Sequence, residues 1–185
     1  MDIYELLKKD HRQVKELFSK IKKRLEDEDF SEASDLFEEM KTELGAHAKA
    51  EEEVFYEPLR QASRGDKDLD LVGEAKEEHH VVALLLNELS RLDVKEKEWK
   101  AKLTVLSEMV EHHVEEEEEE MFKRAKRLFS EQDAEQMAEN MKSLKEEYKE
   151  DIDSALAEDI YLFSDPSLKT KTKSSRDSLT DRNLI

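Results

Sequence analysis

Four apolar stripes with helical steps of three and four residues run along this chain, and each is broken by a histidine. The second and fourth stripes are broken twice, by His47 and Glu51 and again by His113 and Glu117, each pair having the form His-x-x-x-Glu. On an α-helix, residues four apart lie one turn from each other on the same face. Each pair therefore aims an imidazole and a carboxylate at one point, from a face whose other members are apolar. A fold that satisfies this pattern must bring several helix faces together around a shared polar layer.

The first stripe is Leu7, His11, Val14, Phe18, Ile21 and Leu25, which predicts a helix from Ile3 to Leu25. The second is Phe37, Met40, Leu44, His47, Glu51, Val54 and Pro58, on a helix expected from Glu32 to Ala62 with Ser31 as its cap. Gly45 and Pro58 are irregularities in it, and the proline is expected to bend or end the helix. Ser63 to Asp68 reads as a loop. The third stripe, Val72, Ala75, His79, Val82, Leu86 and Leu89, predicts a helix from Leu69 to Leu92. The fourth, Trp99, Leu103, Leu106, Val110, His113, Glu117 and Met121, belongs to a helix opened by the capping-box sequence Asp93-Val94-Lys95-Glu96 and reaching Phe129. Amphipathic helices with short connections read as an all-α, up-down-up-down four-helix bundle over residues 1–129. Ser130 to Asp133 can open an additional C-terminal helix, residues 130–163, with a weaker stripe of Met137, Met141, Leu144, Tyr148 and Ile152. That helix is expected to pack on the bundle, or to meet a protein partner or a second copy. Residues 164–185 turn polar and are expected to be a disordered tail.

Composition narrows the function classes. Charged residues make up 43% of the chain against three Gly and two Pro, which favours helices over strands and turns. The absence of cysteine excludes disulfides and thiolate metal sites made by this sequence. A formal net charge of −18 argues against nucleic acid and anionic membranes as partners. No apolar run approaches the roughly 20 residues of a membrane span. Met1-Asp2-Ile3-Tyr4-Glu5 lacks the basic and apolar regions of a signal peptide, so a cytoplasmic location is expected.

The chain also repeats itself. Asp10-His11 aligns with Glu78-His79 at an offset of 68 residues, and Val14, Leu17, Phe18 and Ile21 align with Val82, Leu85, Leu86 and Leu89. His47, Glu51 and Glu52 align with His113, Glu117 and Glu118 at an offset of 66. Two copies of one helical hairpin thus each contribute His, His and Glu to the interior: His11, His47, Glu51, His79, His113 and Glu117. An unpaired buried carboxylate costs on the order of several kcal/mol, so something must neutralise two of them at one depth. Divalent cations do so, and imidazole with carboxylate suits iron, manganese or zinc. The simplest arrangement places one metal by each hairpin's histidines, with Glu51 and Glu117 bridging. Six side chains do not saturate two octahedral ions, so positions remain for a small ligand, which makes iron or manganese the redox-competent choice. His80 and His112 lie about 100° off the stripe and read as surface or supporting groups. Glu116 and Glu120 are minor candidates within a solvated acidic face. Tyr4, two turns before His11, can reach the site or pack in the bundle. Trp99 reads as a bundle-end anchor.

Asp10-His11, His47-x-x-x-Glu51-Glu52, Glu78-His79 and His113-x-x-x-Glu117-Glu118, in that order over residues 1–129, resemble the hemerythrin-like, or HHE cation-binding, domain. The resemblance implies a non-haem centre of two oxo- or hydroxo-bridged iron ions that binds oxygen, nitric oxide or peroxide for oxygen or iron sensing, storage or transport. It also admits an oxidoreductase consuming peroxide or nitric oxide, and a metal-dependent interaction module that signals iron or oxygen status. The sequence departs from the metazoan oxygen carriers, which have a second histidine in the third helix where this chain has Ala75 or Ala83. The Phe-Pro that often follows the Glu-Glu pair is replaced by Tyr56-Glu57-Pro58 and by Phe122-Lys123.

Overall fold

The computed structural model describes residues 1–157. Their helices are α1 (Ile3–Glu26), α2 (Phe30–Glu51), α3 (Glu57–Ala62), α4 (Asp66–Leu89), α5 (Lys97–Glu116), α6 (Phe122–Leu128) and α7 (Glu131–Ala157). Five-residue π turns, Glu52–Tyr56 and Glu117–Met121, join α2 to α3 and α5 to α6, so that each pair forms one continuous rod. The rods α1, α2–α3, α4 and α5–α6 form the up-down-up-down bundle. No helix among the described residues is long and apolar enough to cross a membrane. The expected end of the C-terminal helix, 158–163, and the expected tail, 164–185, lie outside the described residues.

Several boundaries differ from the sequence reading. The cap of α2 is Asp29, whose carboxylate accepts from the Glu32 N–H at 3.3 Å, not Ser31. Glu28, at φ 56, makes the left-handed step that lets the chain reverse there. The box at Asp93 is half made: Glu96 accepts from the Asp93 N–H, but the Asp93 carboxylate turns to the Lys95 N–H, and α5 begins only at Lys97. At Ser130 the box is complete, each side chain accepting from the other residue's N–H, and it opens α7 as predicted.

Pro58 does not end its helix, which runs on to Ala62; it sits at the start of α3, directly after the π turn. The π turn instead inserts one residue into the stripe. Downstream of Glu51 the fully buried positions are Phe55, Tyr56 and Leu59, while Pro58 is only partly covered. The second copy has the same insertion with Arg124 at the position matching Pro58, so the proline is not its cause. Both π turns adjoin the stripe glutamates, and such turns recur at functional sites because they re-aim side chains.

The interior is layered. One apolar cluster contains Phe18, Ile21, Phe37, Leu86, Trp99 and Leu106; Trp99 is 1% exposed and meets Phe37 edge-on. The other contains Ile3, Tyr4, Phe55, Tyr56, Met121 and Phe122 and is closed from outside by Ala134, Ala138, Met141 and Tyr148 of α7. Burying a large apolar side chain contributes about 1.5–3 kcal/mol, so these two clusters carry the fold. α7 lies across the α1/α2 hairpin and ties to it through buried Lys145, which reaches Asp10 at 2.7 Å and Glu43 at 3.4 Å. Between the two apolar clusters lies the polar layer.

Candidate metal centre

All six stripe residues named from the sequence are buried, none more than 8% exposed. Two groups of three bring their ligand atoms within 4.8 Å of one another: His11, His47 and Glu51, and Glu51, His79 and His113. Glu51 is common to both. Glu117 completes the layer from the opposite side, 3.2 Å from His11 Nε2. The Nε2 atoms of His79 and His113 face each other at 3.1 Å.

The outer nitrogen of each imidazole is held by a carboxylate. His11 Nδ1 donates to Glu118 at 2.9 Å, and His47 Nδ1 to Asp10 at 3.3 Å. His79 Nδ1 donates to Glu52 at 3.1 Å, and His113 Nδ1 to Glu78 at 2.7 Å. An ionised carboxylate only accepts, so each Nδ1 carries the proton and each Nε2 is left facing inward. This is the orientation that metal-ligating histidines require. The pairing follows the repeat: Asp10 and Glu78 serve the second histidine of their own hairpin, while Glu52 and Glu118 cross to the first histidine of the other. The sequence reading gave these four acids no role; their repetition beside the stripe residues is the signal that could have found them.

The layer is electrostatically unresolved as a protein-only arrangement. Both oxygens of Glu51, both oxygens of Glu117 and Nε2 of His11 are buried without a hydrogen-bond partner. Burial followed by the charge of Glu51 pushes the Glu117 carboxyl well above its usual range. Burial opposes ionisation of Glu51 as well, but His47 and His79 overcome it and hold that carboxyl low. Burial would depress His47, yet Glu51 and Asp10 raise it to about 9. Burial and then the neighbouring His47 lower His11 to about 4. Five inward atoms without hydrogen bonds in a buried layer, drawn from imidazole and carboxylate, with imidazole nitrogens and carboxylate oxygens 3.2–3.5 Å apart where they pair, fit divalent cations in chemistry.

Of the other candidates, Tyr4 packs. Its ring meets Phe55 and Phe122 edge-on, and its hydroxyl has no partner. His80 is exposed, and His112 pairs with Glu116 at 3.7 Å on the outer surface. Tyr56 was not singled out from the sequence. The π turn carries its ring inward to stack on His79, and its hydroxyl lies 3.2 Å from His113 Nε2. Burial, then Glu117 and Glu51, raise its pKa well above 10, so it remains a donor.

Residues 2–125 match the Hemerythrin HHE cation binding domain. A Hemerythrin HHE cation binding domain-containing protein from Mycobacterium kansasii superposes with a TM-score of 0.70 at 26% identity, covering 85% of this chain and 93% of that one. A DNA nickase from Nostoc sp. is 28% identical over 145 residues, 78% of this chain, and the chain spans only 39% of that relative's length. The match over most of the bundle, together with the interior of histidine and glutamate, places the chain in the hemerythrin HHE cation-binding domain family.

Proposed function

We propose that this protein holds two iron ions and binds oxygen, nitric oxide or peroxide at their open positions. His11 and His47 would serve one ion and His79 and His113 the other, with Glu51 and Glu117 between them. The observation that supports this best is the set of inward Nε2 atoms, each fixed by a carboxylate behind it, around two carboxylates with no other partner. When bound, the ions supply ligand coordination and electron exchange. The chain's own residues do the rest. Asp10, Glu52, Glu78 and Glu118 lock the imidazoles. The two apolar clusters exclude water. Tyr56 offers a neutral hydroxyl to a small ligand beside His113, a position where Ala75 leaves room.

Binding protein and enzyme separate by experiment. Reduced, iron-loaded protein exposed to oxygen or nitric oxide should develop ligand-to-iron absorption that reverses when the gas is removed. Steady-state turnover of hydrogen peroxide, abolished by His113→Ala, would favour the oxidoreductase reading instead. Absence of both would refute the proposal. The nickase activity of the Nostoc relative belongs to a longer protein, and a net charge of −18 opposes contact with phosphates.

A further inference from the structure

The pseudo-two-fold symmetry of the polar layer fails on its outside, and the failure has a chemical pattern. In the first hairpin the residues one position before His47 and Glu51 are Ala46 and Ala50, both fully buried in the cluster closed by α7. Asp10, beside them, is covered by Lys145. In the second hairpin the matching residues are His112, Glu116 and Glu78. They form a third His-x-x-x-Glu pair with a carboxylate from the neighbouring helix, their ligand atoms within 4.8 Å of one another. Their side chains are 62%, 40% and 18% exposed, so the cluster faces solvent. Glu78 already uses one oxygen, Oε2, to hold His113 Nδ1. Its other oxygen remains for a ligand.

A second observation gives this cluster a direction. A narrow crevice beside Ala75 is lined by Glu78 and Glu116 of this cluster and by His113 and Glu117 of the interior layer, with Leu71 and Met121 as its apolar wall. Glu117 is 1% exposed, and neither of its oxygens has a hydrogen-bond partner. The geometry points to an outer cation site at Glu78, His112 and Glu116 that captures a divalent metal and passes it along the crevice to the interior. Lines of acidic groups with low-dielectric walls concentrate cations and raise their capture rates by about tenfold or more. In the first hairpin alanines and Lys145 occupy the equivalent place. The loading role rests on the interior metal centre proposed above; the outer site itself does not.

The double variant His112→Ala/Glu116→Gln tests this, since both side chains are exposed and leave the core untouched. Iron-loaded full-length protein is titrated with Mn2+, whose free ion is read by electron paramagnetic resonance. Metal-free protein is loaded anaerobically with ferrous iron in a stopped-flow experiment. Wild type should bind one Mn2+ per chain beyond its iron, and the variant should lose that equivalent. The variant should reach the same final iron content about tenfold more slowly, the factor that focusing supplies. Unchanged Mn2+ binding in the variant overturns the proposal, as does an unchanged loading rate. A wild-type chain that takes up no interior iron, yet binds one Mn2+ that the variant loses, would refute the interior reading and leave the outer site standing.

Discussion

Replacing Glu117 with glutamine separates the cost of the polar layer from its purpose. This carboxyl is 1% exposed, lacks hydrogen-bond partners and has its pKa pushed well above 4.5 by burial and Glu51. A group raised in the folded state favours folding below its unfolded pKa and loses that contribution as pH rises. The loss is about 1.4 kcal/mol per pH unit while the folded carboxyl keeps its proton. His47, raised from 6.5 to about 9, adds a loss of the same sign between those two values. His11 and His79, both lowered from 6.5, act in the opposite sense only below it. The metal-free protein should therefore become less stable from pH 6.5 to 9, with a slope between about 1.4 and 2.7 kcal/mol per unit for one or two protons. Glutamine removes that loss by replacing a buried carboxylate that has no hydrogen-bond partner, so at pH 8 the variant is expected to gain about 1–3 kcal/mol, the cost of one unsatisfied buried polar group. Urea unfolding of chelator-treated protein followed by circular dichroism measures this, with an unchanged m-value confirming a like-for-like comparison. The same variant should bind metal more weakly. A wild-type metal-free stability that is flat or rises over this pH range would rule out a Glu117 that keeps its proton in the fold, as would a glutamine variant less stable than wild type at pH 8.

Further outcomes follow from other parts of the fold. Lys145→Met removes the buried ammonium from Asp10, while Glu43 keeps Lys149 at 2.7 Å, and should cost about 3 kcal/mol, lowering Tm by roughly 6–12 °C in a calorimetric scan of metal-free protein. Gly73→Ala should stabilise by about 0.5–1 kcal/mol in chemical denaturation, because the position is an exposed helix interior and an added Cβ meets nothing within 4 Å. Tyr56→Phe should keep the full metal content while weakening nitric oxide binding about tenfold, the worth of one hydrogen bond, measured by optical titration.

The bundle and the interior layer were legible because both rest on periodicity. A stripe of three- and four-residue steps identifies a buried face, and the repeat fixed which glutamate of the run Glu115 to Glu120 turns inward. The π turns were not legible: they change hydrogen-bond register without a residue that demands it, as Arg124 opposite Pro58 demonstrates. Tyr56 was missed for that reason, since it becomes a site residue only after the extra residue rotates it inward. Helix starts were misplaced where a capping sequence competes with a local alternative, as at Asp93, whose carboxylate chooses Lys95 over the helix. Lys145 has no counterpart in the repeat, and its role is set by how α7 crosses the first hairpin. Asp10, Glu52, Glu78 and Glu118 were visible as repeated acids, but their crossed pairing with the histidines needs the tertiary arrangement.

On the proposed function, carboxylates and imidazoles are tolerated in this buried interior because cations lie between them. Metal analysis of wild-type protein purified from iron-replete cells tests it most directly, with His47→Ala/His113→Ala prepared in parallel. Two iron ions per wild-type chain, and less than half that content in the folded double variant, are the predicted result. Wild-type protein that is folded, iron-free and takes up no divalent metal on incubation would contradict the account.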